Sequence, residues 1–456
     1  MVSFALSLWS NFMKSVAVIG AGPAGLFAAR ELANAGVNVA LINRDIKPGG
    51  LAEYGIYKDK YKMKNGLRMQ FKQILATPSI HYFGNVVIGE HGQLTLAELK
   101  ELGFDAVLVT AGAQGTKWQG LPGEDLPGVY HAKNVVYHYN KLPPYATQEF
   151  RIGKRVAIIG MGNVMIDVAH FLLDDLQAEK VISVGRRGPA EVKFDKKEME
   201  SICGNIDMDA IQAAVDEATP LMHSLGQDPQ KTLQFFNSVL ECKLKPFGPG
   251  KFSIKFLASP VEIIGDQKRG VTGLKVEENT LIQAGADTKA RGTGQFAVMD
   301  VDTVIFAIGD TVDPQMGLPT EWGEFIKRKD PRFPVEGVSY ESVDEANPEL
   351  AESIFVGGWS RKASEGLVGY ARKDGINAAK AVLQYLATVP EITGDPVRKL
   401  DAVLKEQKVR TIGTSEVTAL ENIEKTIAAE KNLQEYKFDR NQDMLEIIEK
   451  ADKVIQ

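Results

Sequence analysis

Cysteine is nearly absent from this sequence. Its 456 residues include two cysteines, Cys203 and Cys242. Two cysteines are too few for a disulfide scaffold, a Cys₄ zinc site or a protein-ligated iron–sulfur cluster, and their wide spacing excludes a CxxC redox pair. We expect both to be ordinary thiols in a reducing compartment, and the protein to be cytoplasmic.

Long apolar runs and an excess of positive charge are absent as well. No run approaches the roughly 20 apolar residues that a membrane span needs. The apolar leader, residues 1–13, has neither a basic start nor a small-residue cleavage site, so we do not interpret it as a signal peptide. The net charge of −6 argues against nucleic-acid binding, and the six histidines show no metal-ligand spacing, so no metal site is predicted.

An imperfect internal repeat organises the chain. The segment from Lys14 reads KSVAVIGAGPAG, and the segment from Lys154 reads KRVAIIGMGNVM. Each runs from an apolar strand through a glycine turn into a helical pattern and a second apolar strand. This context separates a dinucleotide-binding βαβ unit from a chance glycine motif. The sequence therefore predicts an α/β protein with two Rossmann-like dinucleotide-binding domains.

The first repeat has three glycines with separate physical tasks. Gly20 makes the tight turn, Gly22 lets a pyrophosphate approach the backbone, and Gly25 lets helix and strand pack closely. The helix N-terminus then offers N–H groups to the phosphates. Asn43 stands where an acid normally binds the ribose, and its amide oxygen can still accept from a hydroxyl. Gly50, in a Gly-Gly pair, suits a further close approach to the pyrophosphate.

The second repeat departs from the first at its third small position, where Met165 stands. Arg186 and Arg187 end its second strand, where an NAD site would place an acid. Guanidinium groups suit a ribose 2′-phosphate, although a solvated arginine pair on a loop is the alternative. Two folds imply two nucleotides, and cofactors carry the hydride chemistry that side chains do poorly. We therefore predict FAD in the first fold and NADPH in the second.

The sequence resembles the adrenodoxin reductase family, which includes bacterial NADPH–ferredoxin reductases, and the likeness spans nearly the whole chain from residue 14. It rests on the first glycine fingerprint, FGNVVIG from Phe83, LPGEDLPGV from Leu121, GMGNVMID from Gly160, VGRRGP from Val184, and Gly358-Trp359 followed by Gly366. The resemblance implies an NADPH domain, residues 116–334, inserted into a discontinuous FAD domain. That FAD domain comprises residues 1–115 and 335–456 and ends in a helical tail.

The resemblance also implies functional residues. Further FAD contacts would come from Ala24, Leu51 and Ile88. The flavin and the nicotinamide side would be contacted by Trp359, Gly366, Leu367 and Val368. NADPH would be held by Met161, Gly162, Asn163, Val164, Arg186, Arg187 and Glu198. Asp167, which matches an acidic residue near the flavin, and Gly366, which keeps the contact face open, are the candidate catalytic residues.

The chain departs from the family at several positions. Lys60 replaces a frequent histidine, and Ser364-Glu365 replaces Pro-Thr before the closing glycine. Residues 207–230, where the family has a basic cluster for its acidic iron–sulfur partner, contain no Lys or Arg, which argues against docking there. Residues 58–72 carry six cations and one acid. They predict either a basic surface for NADPH or an acidic acceptor, or a solvated segment.

The sequence thus predicts an FAD-dependent oxidoreductase that takes a hydride from NADPH and passes electrons singly to ferredoxin or a similar acceptor. A homo-oligomer or a larger complex stays open. One alternative is an electron-input subunit like that of glutamate synthase, but such subunits carry cysteine-rich segments before the FAD fold, and only 13 residues precede it here. Another is a flavin-binding interaction protein without turnover, which the paired arginines argue against.

Overall fold

The computed structural model describes residues 14–455, apart from 286, 365 and 391–393. The chain divides into two compact units. The first unit comprises residues up to Thr116, Asn140–Pro144 and the chain from Gly309 onward, and the second comprises Lys117–Tyr139 and Tyr145–Ile308. The second unit is therefore an insertion into the first.

Short strands and helices alternate along both units. The strands are β1 (Ser15–Ile19), β2 (Asn38–Asn43), β3 (Ile80–Gly84), β4 (Ala106–Val109), β5 (Gly115–Thr116), β6 (Val129–His131), β7 (Arg155–Ile159), β8 (Lys180–Val184), β9 (Lys251–Lys255), β10 (Ala258–Asp266), β11 (Gly270–Ala284), β12 (Asp287–Met299), β13 (Thr303–Phe306), β14 (Asp310–Thr311), β15 (Thr320–Glu321), β16 (Glu324–Phe325) and β17 (Ile354–Val356). The α-helices are α1 (Pro23–Asn34), α2 (Leu51–Tyr54), α3 (Tyr61–Leu75), α4 (Leu96–Glu101), α5 (Ala132–Tyr139), α6 (Asn163–Asp174), α7 (Lys196–Met199), α8 (Met208–Ser224), α9 (Pro229–Leu240), α10 (Pro348–Ala351), α11 (Val368–Leu386), α12 (Pro396–Glu406), α13 (Thr414–Glu430) and α14 (Asn441–Ile455).

The first unit is built on a parallel five-stranded sheet with the order β17-β4-β1-β2-β3. All five residues of β1 are buried, as expected for a parallel strand covered on both faces. The chain adds β2 and β3 on one side of β1 and then returns to add β4 and β17 on the other. The strand order therefore reverses between β1 and β4, where open α/β sheets bind ligands at their carboxyl ends.

The second unit repeats this plan. Its parallel sheet has the order β6-β13-β7-β8-β9, and the order reverses between β7 and β13. A separate antiparallel sheet, β10-β11-β12, packs on the same unit through a shared apolar cluster that includes Leu274, Val276 and Phe306. Two Rossmann-like sheets in two units agree with the predicted fold class.

The second junction between the units lies earlier than the domain limits that the resemblance implied. Residues 309–334 belong to the first unit rather than to the inserted one. The short strand β14 pairs with β5, and Val312 and Leu318 pack in the core of the first unit. A two-residue ladder and a few buried side chains leave no periodic pattern, so this junction was not evident from the sequence.

The C-terminal tail packs on the first unit. Val397, Leu400 and Leu404 of α12 lie in one core cluster of that unit, with Ile42 of β2. Val417 and Leu420 of α13 lie in another, and Met444 and Ile448 of α14 join them. The apolar residues of the helical tail therefore pack in the core of the first unit.

The expectation of free thiols is wrong in this structure. Cys203 and Cys242 are joined by a disulfide that links the 3₁₀ turn Glu200–Asn205 to the chain beyond α9. The two segments meet because Asn205 binds the backbone of Phe247, Gly248 and Gly250. The cysteines therefore give no support for a reducing compartment. Across the described ranges, no helix is both long and apolar enough to cross a membrane.

The basic segment 58–72 is neither a uniform basic surface nor a solvated segment. It forms the turn before α3 and most of α3, and two of its cations point inward. Lys64 is 1% exposed and contacts Asn140 and Glu435, whereas Arg68 binds Glu53 and Glu435. The exposed lysines of α3 that remain on its outer face are Lys62 and Lys72.

Lys64 and Arg68 belong to a buried ion cluster that ties α2 and α3 to the C-terminal segment. Among the described residues, the cluster contains Lys47, Lys64, Arg68 and Lys437 together with Glu53, Glu424 and Glu435. Burial disfavours the ionised form of Glu53, but the charges of Lys437 and Lys47 nevertheless hold the pKa of Glu53 well below its usual value. Four cations face three acids, so one positive charge lacks an equivalent partner within this set.

Lys64 is the cation of this cluster whose protonated form is destabilised by the folded structure. Burial, and then the Lys437 charge, lower the pKa of Lys64 from 10.5 to about 8. The folded state therefore binds this proton less tightly than the unfolded chain does. The cost is present in full below about pH 8 and is relieved as the pH rises to 10.5. A shift of this size corresponds to about 3 kcal/mol.

We expect Lys64→Met to raise the free energy of unfolding at neutral pH by about 1–3 kcal/mol, because an unbranched apolar chain replaces a poorly paired buried charge. The advantage over wild type should shrink between pH 8 and pH 10.5. Urea unfolding of both proteins across this range measures it, with the exposed Lys62→Met as the control, expected within about 0.5 kcal/mol of wild type. A loss of stability in Lys64→Met would show that the ammonium group is a net stabilising partner.

Candidate dinucleotide-binding sites

The first glycine turn lies where the strand order reverses. Gly20 has a φ of +103°, and a Cβ there would lie 2.5 Å from the carbonyl oxygen of Thr110 on the neighbouring strand end. A Cβ on Gly25 would overlap the Gly20 carbonyl and lie 2.6 Å from Thr110 Oγ1. The first glycine is therefore required by backbone conformation and the third by close packing of α1 on β1, as the sequence predicted.

The second glycine of this turn is different, because it faces open space. A Cβ on Gly22 would meet no atom within 4 Å, and α1 begins at the next residue. Gly50 lies beside it, since a Cβ there would be 3.1 Å from Gly22 Cα, and Gly49 N–H donates to Ala21 O. The Gly49–Gly50 backbone therefore lies beside the residues that precede α1. Leu51, the first residue of α2, follows directly in the sequence.

Asn43 stabilises this turn through side-chain hydrogen bonds to the backbone. Its Oδ1 accepts a hydrogen bond from Ala21 N–H at 3.0 Å, and its Nδ2 donates to the carbonyls of Asp45 and Lys47. Asn43, at the end of β2, thus fixes the conformation of the glycine turn. The sequence had predicted only a ribose contact for this residue. Its contact with the ribose of FAD stays a prediction.

The segment Gly358-Trp359, which we call the closing motif, lies directly against the first glycine fingerprint, Gly20 to Gly25. Gly358 has a φ of +61°, and a Cβ there would lie 2.6 Å from the Cβ of Ala24. Gly375 of α11 packs on the backbone of Ala24 as well. Residues more than 330 positions apart in sequence are thus brought together at the N-terminal turn of α1. Ala24, predicted to line FAD, is enclosed between these two glycines.

The other residues predicted to contact FAD have varied settings. Gly366 has a φ of +72° and Leu367 is 60% exposed, immediately before Val368 starts α11. A Cβ on Gly366 would collide with Tyr370, so its backbone conformation and this neighbour both require glycine. Ile88 is buried in the core cluster that also contains Ile19, so any contact with FAD would come from its backbone. Trp359 is half-buried.

The second unit has the same arrangement at its own reversal point. Gly160 has a φ of +133°, and a Cβ there would overlap the Ala307 carbonyl beyond β13. A Cβ on Gly162 would meet no atom within 4 Å, and α6 begins at the next residue, Asn163. The second glycine of each repeat is therefore the open one. This equivalence is the geometric basis for two nucleotide sites.

The segment after β8 folds back over the second glycine turn. Gly185 leaves room for the Met161 side chain, and Lys193 N–H donates to Met161 O. Asn163 and Asp195 exchange two hydrogen bonds of 2.8 and 2.9 Å. The predicted NADPH residues Met161, Gly162 and Asn163 thus lie against the segment that begins with the paired arginines, and Val164 is 45% exposed beside them.

The arginine turn is anchored through its backbone. Asn279 Nδ2 donates to Arg186 O and Leu257 N–H donates to Arg187 O, both at 3.1 Å. Arg186 is exposed, whereas Arg187 Nη1 lies 3.3 Å from Asp287 Oδ1. The Thr288 N–H, and then Arg187, hold the pKa of Asp287 below its usual value. Sequence reasoning missed Asp287, which lies 100 positions away from its partner and has no motif of its own.

Asp167 and Glu198 complete the predicted set. Asp167 lies on the second turn of α6, and Glu198 lies on the short helix α7; both are half-buried. Both residues lie on the second unit. The contacts of either residue with a cofactor stay predictions.

Comparison with known proteins agrees with this geometry. The family model described as pyridine nucleotide-disulphide oxidoreductase matches residues 14–203, which include both glycine turns and the arginine pair. The NADPH-ferredoxin reductase FprA of Mycobacterium tuberculosis is 28% identical over 82% of this chain and 85% of its own length. The mitochondrial NADPH:adrenodoxin oxidoreductase of Arabidopsis thaliana is 25% identical over 98% of this chain and 97% of its own. The chain is thus similar over most of its length to reductases named for NADPH, ferredoxin and adrenodoxin.

A solved member of this reductase family has the same fold. The structure of M. tuberculosis FprA in complex with NADPH superposes on this chain with a TM-score of 0.80, at 24% identity, and covers 96% of this chain and 99% of FprA. The likeness therefore extends beyond the glycine turns to both units and the C-terminal tail. The family resemblance and the fold class predicted from the sequence are confirmed.

Proposed function

We propose that this chain is an NADPH-dependent flavoprotein reductase, a ferredoxin–NADP⁺ reductase of the adrenodoxin reductase type. The observation that carries this function is the pair of equivalent open glycines, Gly22 and Gly162, each at a strand-order reversal and each directly before a helix. Relatives named for NADPH, ferredoxin and adrenodoxin support the assignment.

The residues of the first unit fit FAD. Gly22 leaves backbone open to a pyrophosphate, with Gly50 beside it, and the first turn of α1 offers N–H groups and the positive end of a helix dipole. Leu51, Trp359, Leu367 and Val368 are assigned to the same cofactor. The bound flavin would supply the hydride and single-electron chemistry that side chains do poorly.

The residues of the second unit fit NADPH. Gly162 leaves the start of α6 open to the pyrophosphate, and Arg186 and Arg187 place two guanidinium groups at the end of β8. A guanidinium group gives charge-assisted hydrogen bonds to phosphate, and NADPH differs from NADH by a 2′-phosphate. Glu198 and Asn163 are assigned to the same cofactor.

Asp167 and Gly366 are the candidate catalytic residues in this proposal. We assign Asp167 to holding a water molecule or the nicotinamide in place. Gly366 would leave the backbone before α11 free of a side chain that could cover the flavin. These roles follow from the family resemblance and the positions of the two residues.

The acceptor in this proposal is a small ferredoxin-like protein in the cytoplasm. The sequence of α8 contains no Lys or Arg, so the acceptor would dock on another surface. The alternative of an electron-input subunit is less favoured, because the matching relatives are ferredoxin and adrenodoxin reductases over nearly their full lengths. A homo-oligomer or a larger complex stays open within the proposal.

Steady-state turnover with a panel of acceptors tests this function. NADPH oxidation should be accelerated strongly by a ferredoxin and weakly by a flavodoxin or a quinone. The same assay on Asp167→Ala should show a lower kcat with full FAD content. Turnover that no ferredoxin accelerates would refute the acceptor class, and wild-type kcat in Asp167→Ala would return this residue to a structural role.

A further inference from the structure

The closing motif depends on one buried carboxylate, that of Asp374 on α11. Asp374 is 6% exposed, and its Oδ2 accepts a hydrogen bond of 2.6 Å from Gly358 N–H. Arg361 donates to the same carboxylate through Nε and Nη2, the closest contact being 2.7 Å. Tyr340 Oη donates to it at 3.1 Å. Four donor atoms from two parts of the chain, Tyr340 and the turn Gly358–Arg361, therefore converge on this group.

These contacts fix both ends of the turn Gly358–Arg361. Asp374 binds the first residue through its backbone and the last through its side chain. Between them, Ser360 Oγ accepts from Gly112 N–H at 3.0 Å. The Cα of Gly358 faces the Cβ of Ala24 on α1. The turn that carries Trp359 is thus held between α11, the loop after β4 and the first glycine fingerprint.

Tyr340 and Arg361 pack against each other beside this carboxylate. Burial, and then the Asp374 charge, raise the pKa of Tyr340, so the phenol remains a donor. Arg361 is 9% exposed, and its Cζ lies 5.0 Å from the centroid of the Tyr340 ring. A buried carboxylate with a guanidinium partner and a backbone donor can fix one conformation, because any other leaves a charge unpaired.

We infer that Asp374 is a positioning residue of the flavin site. Its carboxylate holds the Gly358–Trp359 turn against the start of α1 in the shape that FAD binding requires. This inference rests on the proposed function, which places FAD in the first unit. Asp374 acts through Gly358 and need not touch the cofactor.

The test separates anchoring of the turn from general stability. Asp374→Leu/Arg361→Met removes both buried charges together and leaves Gly358 N–H without its acceptor. Asp374→Asn/Arg361→Met also removes both charges but retains an oxygen that can accept from Gly358. The matched control is Glu341→Leu/Arg332→Met, because Glu341 is also a buried carboxylate that binds an arginine and backbone N–H groups in the first unit.

The FAD dissociation constant of stripped and reconstituted protein is measured with the visible flavin spectrum, below the melting temperature of every variant. The leucine variant should bind FAD about tenfold or more weakly, the effect of losing a hydrogen bond to a charged group. It should also shift the spectrum, and the asparagine variant should recover most of the affinity. The Glu341 control should bind FAD as wild type does.

Wild-type affinity and spectrum in the leucine variant would overturn the inference, as would a loss of affinity in the Glu341 control equal to that in the leucine variant. If the leucine variant does not fold, the asparagine variant decides. An asparagine variant that keeps its melting temperature but binds FAD no better than unfolded protein would refute rescue through the amide oxygen. Wild-type protein in the same titration tests the proposed function separately, because failure to bind FAD there would refute both.

Discussion

Gly22→Ala should leave the first unit folded and remove most of its FAD. The Gly22 backbone has φ −76° and ψ −177°, which any residue adopts, and a Cβ there meets no protein atom within 4 Å. The empty space is where the pyrophosphate should approach the start of α1. Forcing a methyl group into such a contact costs about 1–3 kcal/mol, which weakens binding by about fivefold to more than a hundredfold.

Two further variants make this result specific. Gly25→Ala places a methyl group against the Gly20 carbonyl and Thr110, so it should lower the melting temperature of the apoprotein sharply. Gly162→Ala is the equivalent change in the second unit and should raise the KM for NADPH while FAD content stays normal. Melting curves of the apoproteins and FAD titrations give both quantities. Normal FAD affinity in Gly22→Ala would place the pyrophosphate elsewhere.

The arginine pair should decide the choice between NADPH and NADH. Each charge-assisted hydrogen bond to a 2′-phosphate contributes about 1.5–3 kcal/mol. Arg186→Ala/Arg187→Ala should therefore weaken NADPH binding by about a hundredfold or more, while NADH changes little. The backbone bonds from Asn279 and Leu257 should keep the turn in place without these side chains.

Asp287 provides the matched control for the arginine pair. It lies 3.3 Å from Arg187 and would compete with a 2′-phosphate for the same guanidinium group. Asp287→Ala should leave NADPH affinity unchanged or raise it, because an anion is removed from the site. The kcat/KM values for NADPH and NADH measure these effects. Equal values for the two cofactors in the unmutated enzyme would refute the assignment of the arginines.

The two glycine turns were predictable from the sequence because their causes are local. Gly20 needs a positive φ, Gly25 needs close packing, and both requirements lie within one strand–turn–helix segment. Gly160 likewise needs a positive φ, whereas Gly162 leaves the start of α6 open. Glycines at a fixed spacing, between an apolar strand and a helical pattern, were therefore enough to predict the two turns and the fold class.

The interactions that complete the sites were not predictable, because they join distant segments. Asp374 binds Tyr340 and Gly358 through side-chain geometry that leaves no motif. Lys64 looked like a surface charge, and its partner Glu435 lies 371 positions away. The disulfide between Cys203 and Cys242 depends on how the segments after α7 and α9 fold together. Charge and spacing alone could not distinguish these residues from solvent-exposed ones.

The most direct test of the central claim is anaerobic addition of NADPH to the FAD-loaded protein, followed through the visible absorbance of the flavin. NADPH should bleach this absorbance, the same concentration of NADH should do so far more slowly, and oxidised ferredoxin should then restore it. A flavin that keeps its absorbance after NADPH is added would contradict the account and leave a flavin-binding protein without reductase activity.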